Sequence, residues 1–135
     1  MVLYRDDIVE LDYAAAQEIL YVELQDQRGL CVSEVKKVFM SIVVCAREHR
    51  IPKVLLDLTR NAVEMTKAEY KSVFTQLVVG LMPTPIRKVA RVATKDPVRE
   101  HSVDATYREI QKCINLPLEF RSFAGRDEAL RWLMA

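Results

Sequence analysis

Between Lys53 and Leu81 the hydrophobic pattern changes from a short continuous run to a repeat of three and four, and that change dictates most of what the chain can become. Lys53 to Leu58 is an apolar run interrupted by Asp57, too short for a buried helix and introduced by Pro52, so it reads as a strand covered on both faces. A loop, Thr59 to Met65, follows. Thr66 then opens a helix with Glu69 three places on, the spacing at which hydroxyl and carboxylate each satisfy a free backbone N–H. Along that helix Tyr70, Val73, Phe74, Leu77, Val78 and Leu81 form one apolar stripe facing a core.

The rest of the chain repeats the same grammar. Ile8 to Leu11 and Ile19 to Leu24 are short runs of strand formers that suggest a hairpin, with Ala14 to Glu18 as its connection or as one helical turn. Ser33 is expected to cap a helix whose inward stripe is Val35, Val38, Phe39, Ile42, Val43 and Ala46. Met40 and Val44 fall off that stripe, among Lys36, Lys37 and Arg47. Pro83 and Pro85 stop the helix begun at Thr66. Lys88 to Thr94 is the next strand, with Ala90 and Val92 on one face and Val89, Arg91 and Ala93 on the other. Arg91 is expected near a sheet edge, reaching water; a buried partner is the alternative.

Asp96 and Pro97 open a helix that runs to Ile114, and the pattern allows an interruption near His101 and Ser102. Leu118 to Phe123 alternates as a last strand, and Gly125 to Glu128 opens a final helix buried through Ala129, Leu130 and Leu133. Strands alternating with helices imply crossovers. The chain therefore predicts a single domain over residues 1–135, an α/β sandwich with a mixed, largely parallel sheet, an N-terminal antiparallel hairpin and about four packed helices.

Several function classes lose support at this stage. Twenty Lys and Arg against 19 Asp and Glu leave no global field for nucleic acid or an anionic membrane. The start of the chain lacks the order of a secretion signal, and no apolar run approaches the roughly 20 residues that cross a bilayer, so a cytoplasmic protein without stable membrane insertion is expected. Cys31, Cys45 and Cys113 are odd in number and lack metal-ligand spacing, which suits a reducing compartment. His49 and His101 have no acid or cysteine at ligand spacing, and Asp57 has no base or nucleophile beside it in sequence. The three glycines are too dispersed for a phosphate-binding loop. The expectation is a protein that is no enzyme and holds neither metal nor cofactor.

Four segments carry a resemblance to a known family: the strand Val54 to Leu58, the loop leading to the capped helix at Thr66, the strand Lys88 to Thr94, and the ending Phe123 to Leu133 with its Ala129, Leu130, Arg131, Trp132 and Leu133. Together they make the chain similar to the SpoIIAA-like branch of the STAS (anti-sigma-factor antagonist) family, over nearly its whole length. The resemblance implies a small bacterial regulatory domain that binds a protein partner, such as an anti-sigma-factor-like kinase. In the antagonists a serine that follows an aspartate at the start of the corresponding helix is phosphorylated. Here Met65 stands at the aspartate's place and Thr66 at the serine's, and no glycine follows in Lys67 to Glu69. Thr66 is thus a phosphoacceptor-like position or simply a cap, and Glu69 favours the cap.

The partner-binding surface implied by the resemblance comprises Asp57, Thr59, Arg60, Asn61, Met65 and Lys67. The fold also resembles Sec14-type lipid-binding domains, which implies an alternative, a carrier or sensor of a small apolar ligand. Val79 and Met82, off the core stripe, would serve such a ligand, and a homodimer is expected to use either Met40 and Val44 or Val79 and Met82.

Overall fold

The computed structural model describes residues 1–24, 30–57, 66–93 and 97–135. Three strands open the chain: β1 (Val2–Arg5), β2 (Val9–Ala14) and β3 (Ile19–Leu24). Helices and strands then alternate as α1 (Val32–His49), β4 (Lys53–Asp57), α2 (Lys67–Leu81), β5 (Lys88–Val92), α3 (Pro97–Cys113), β6 (Glu119–Phe123) and α4 (Arg126–Met134). The six strands form one sheet in sequence order, β1-β2-β3-β4-β5-β6. β1, β2 and β3 pair antiparallel, and β3 to β6 pair parallel through the helical crossovers.

Period-two alternation sends each strand's side chains to two different cores. Val54, Leu56, Val89 and Phe120 join α1, α2 and α3 in the larger core, where Phe74 meets Phe120 edge to face at 4.7 Å. Leu55, Ala90 and Val92 face the other way and are closed by Ala129 and Leu133 of α4. Leu55 and Leu56 are both fully buried, which explains why β4 reads as a continuous apolar run. Lys88 donates from Nζ to the carbonyls of Trp132 and Ala135, a cation at the carbonyl-rich end of α4.

Four local expectations are corrected. The N-terminal hairpin is a three-stranded meander: β1 is an additional edge strand, and β2 continues to Ala14 rather than stopping at Leu11. The β2–β3 turn closes with Glu18 in the left-handed region, at φ 59°. Cys31, not Ser33, is the cap of α1; its backbone N–H donates to Glu34 Oε1 at 3.2 Å, so the acid three residues on fixes the helix start. α3 runs unbroken through His101 and Ser102, the Ser102 hydroxyl returning to the Val98 carbonyl within the helix.

The fourth correction concerns Arg91. It lies on β5, between β4 and the edge strand β6, but it does not reach water and is 4% exposed. A guanidinium there is tolerated because a carboxylate is brought to it.

Candidate functional site

Parallel strands place their carboxyl ends on one side of the sheet, and helix starts gather around them, which is where open α/β sheets bind ligands and partners. α2 begins on this side. Thr66 Oγ1 accepts from the Glu69 N–H at 3.1 Å, and the Thr66 N–H donates to Glu69 Oε1 at 3.0 Å, so the capping box forms as the spacing predicts. Because Oγ1 accepts in this cap, the hydroxyl proton is not consumed by it. Thr66, Lys67, Ala68 and Glu69 are all exposed.

One turn along, Tyr70 is half-buried and leads to a polar cluster beneath the helix start. Arg91 donates from Nη1 to Glu100 Oε1 at 2.5 Å and from Nη2 to Glu100 Oε2 at 2.8 Å, a two-pronged pair joining β5 to the first turn of α3. Ser122, its register neighbour on β6, lies 3.4 Å from Nη1. Burial works hardest against the Arg91 charge, yet the Glu100 hydrogen bonds and the Tyr70 hydroxyl offset it, and the guanidinium pKa lies above its ordinary value. The Arg99 guanidinium stands 5.9 Å from the centre of the Tyr70 ring, within cation–π range. Lys71 and Glu109 form an exposed ion pair that also links α2 to α3, worth little by itself. The result is a firm base under an exposed helix start.

Of the residues expected at this surface, Thr66 and Lys67 share the first turn of α2, while Thr59, Arg60, Asn61 and Met65 lie outside the described residues. Asp57 is placed differently. It stands in register with Val92, whose side chain packs on the α4 side, so the sheet separates it from Tyr70 and Arg91. Val79 and Met40 are exposed, 44% and 63%, whereas Val44 and Met82 are half-buried. Met40 borders two shallow grooves, one between α1 and α2 with a volume of about 80 Å³ and one between α1 and β1 of about 220 Å³. Met82 and Val79 border neither, so the Val79/Met82 patch and the Met40 grooves are separate features.

Tyr70, Arg91, Arg99 and Glu100 are the members of this surface that sequence reasoning left out. Tyr70 was legible from its place one turn after Thr66, on the same helix face. Nothing local links Arg91 to Glu100, because the contact spans the β5–α3 connection. Among the described residues no group of three or more His, Cys, Asp or Glu side chains could hold a metal ion, and no helix is long and apolar enough to cross a membrane.

No protein-family description and no curated protein matches this chain. Among solved structures, an uncharacterised protein of the DUF3478 family from Shewanella loihica PV-4, described as having a SpoIIAA-like fold, is similar over 98% of each chain, with 17% sequence identity and a TM-score of 0.57. The chain has a SpoIIAA-like fold, an α/β arrangement of a mixed six-stranded sheet with four helices.

Proposed function

We propose that this SpoIIAA-like chain is a non-enzymatic regulatory module that binds a protein partner through the start of α2 and the loop before it. The observation that carries the reading is the contrast within that surface. Thr66 to Glu69 are exposed throughout, yet they are held by a complete capping box and run directly into half-buried Tyr70, whose hydroxyl reaches Arg91 of the Arg91–Glu100 pair. A presented but preorganised surface loses little entropy on binding. Lys67 adds an exposed cation, so the partner should offer carboxylates or phosphates there.

An anti-sigma-factor-like kinase is the partner class the fold resemblance suggests, with Thr66 as its acceptor. A phosphate on Thr66 would sit at the positive end of α2, where it is stabilised, and would change the charge of the whole surface. The test compares the proteins retained by wild-type chain, Thr66→Glu and Lys67→Glu at matched expression in the native host. A specific partner held by the wild type should be lost or exchanged in both variants. Identical partner sets for all three would overturn the assignment of this surface.

A further inference from the structure

The edge of the sheet at β1 carries features that the proposed partner surface does not use. Among the described residues β1 has a strand neighbour on one side only, so a row of its backbone N–H and C=O groups faces outward. Val2 and Tyr4 on it are 49% and 38% exposed. Beside this edge runs α1, and the groove between them, about 220 Å³, is lined largely by apolar atoms of Leu3, Tyr4, Met40, Val44 and Cys45. Ser41 and Glu48 line the same groove, which places the Ser41–Glu48 side of α1 along the sheet edge, with Lys37 one turn before Ser41.

We infer that this face is the contact between two copies of the chain. A two-fold axis perpendicular to the sheet would lay β1 antiparallel to β1 of the second copy, extending the sheet and leaving both α1 helices on the same face, antiparallel to each other. The edge-facing stripe of α1 is suited to that symmetry. Lys37, Ser41, Val44 and Glu48 follow at i, i+4, i+7 and i+11, with a cation at one end, an anion at the other and a small hydroxyl side chain near the middle. Lys37 precedes the midpoint of the stripe by as much as Glu48 follows it. Antiparallel pairing therefore sets Lys37 of each copy against Glu48 of the other, twice, and Ser41 against Val44.

Glu48 is exposed on the groove beside β1, where Lys37 of the second copy would reach it. The stripe is roughly 17 Å long and lies beside a strand edge of four residues, a contact no larger than the lower end of stable interfaces. Association is therefore concentration-dependent. Any second protein on this face would need the same charge order, and a copy of this chain has it by construction.

Sedimentation velocity of the full chain between about 1 and about 200 µM tests the inference. The wild type should pass from monomer to dimer in that range. Lys37→Glu and Glu48→Lys each turn two attractive pairs into two repulsive ones and should weaken the dimer roughly tenfold, and the double charge swap should restore it. Both residues are exposed, so the variants should stay folded, with Lys37→Glu melting slightly lower because it places a second acid near Asp6. A wild type that stays monomeric at the highest concentration overturns the inference. So does a dimer that neither single swap weakens.

Discussion

Removing Glu100 should be far more damaging than removing Arg91, although the two form a single pair. The Arg91 side chain is 5% exposed and lies within the sheet, whereas the Glu100 side chain is 20% exposed at the first turn of α3. Glu100→Ala strands a guanidinium where water cannot follow, with Ser122 and Tyr70 as its residual partners among the described residues. Breaking a buried pair from that side costs about 3–5 kcal/mol; because Glu100 retains some solvent contact, about 3 kcal/mol is expected. Arg91→Met fills much of the same space with an apolar chain and leaves a carboxylate that turns outward, so about 1 kcal/mol is expected. The double variant should lie close to Arg91→Met, which makes the coupling between the two sites about 3 kcal/mol. Urea unfolding followed by circular dichroism, with all four proteins at one pH, gives these differences directly. Equal losses in the two single variants, or additive losses in the double variant, would show that Arg91 is solvated and that the pair does not anchor α3.

Other consequences follow from local geometry. Thr66→Ala removes the acceptor for the Glu69 N–H and should cost about 1 kcal/mol, while Thr66→Ser should cost little; thermal melts decide. A Cβ at Gly80 would meet Val43 Cγ2 at 3.1 Å, so Gly80→Leu should lose about 1–3 kcal/mol by forcing α1 and α2 apart. Partial burial raises the Asp6 pKa, but the Tyr4 hydroxyl and the Val9 and Ile8 amides outweigh it, and the net value is below the ordinary one. A lowered carboxylate pKa stabilises the fold above the unfolded-state value and stops doing so as pH falls through the folded one. Asp6→Asn should therefore be less stable than the wild type at neutral pH, with the gap closing in acid; melts across pH measure it. Burial and Glu48 push the Cys45 thiol up, so a thiol reagent at neutral pH should modify exposed Cys31 and Cys113 quickly and Cys45 only on unfolding.

The helices were legible because each presents a stripe of period 3.6, and in α2 all but Tyr70 of the expected stripe is fully buried. β4 and β5 were legible from short apolar runs bounded by prolines and lysines. β1 was not, because an edge strand of four residues buries no alternating face: Val2, Tyr4 and Arg5 are exposed and Leu3 is half-buried. The start of α1 was misplaced by two residues because Ser33 is a better intrinsic cap than Cys31, while Glu34 decides between them by reaching the Cys31 amide. The Thr66 box was readable, being purely local. The Arg91–Glu100 pair was not, since strand and helix meet only once the sheet is assembled. The separation of Asp57 from Thr66 could have been read from parity: Asp57 and Leu55 share a face, and Leu55 belongs to the α4 side.

The central claim is that a partner meets the chain at the start of α2. Site-specific photo-crosslinking in living cells of the native host tests it most directly, with the reactive group placed at Lys67 and, as a control, at exposed Gln111 on α3. The account predicts a discrete adduct of the same partner from Lys67, absent from Gln111 and abolished by Thr66→Glu. No adduct from Lys67, or equal adducts from both positions, would contradict it.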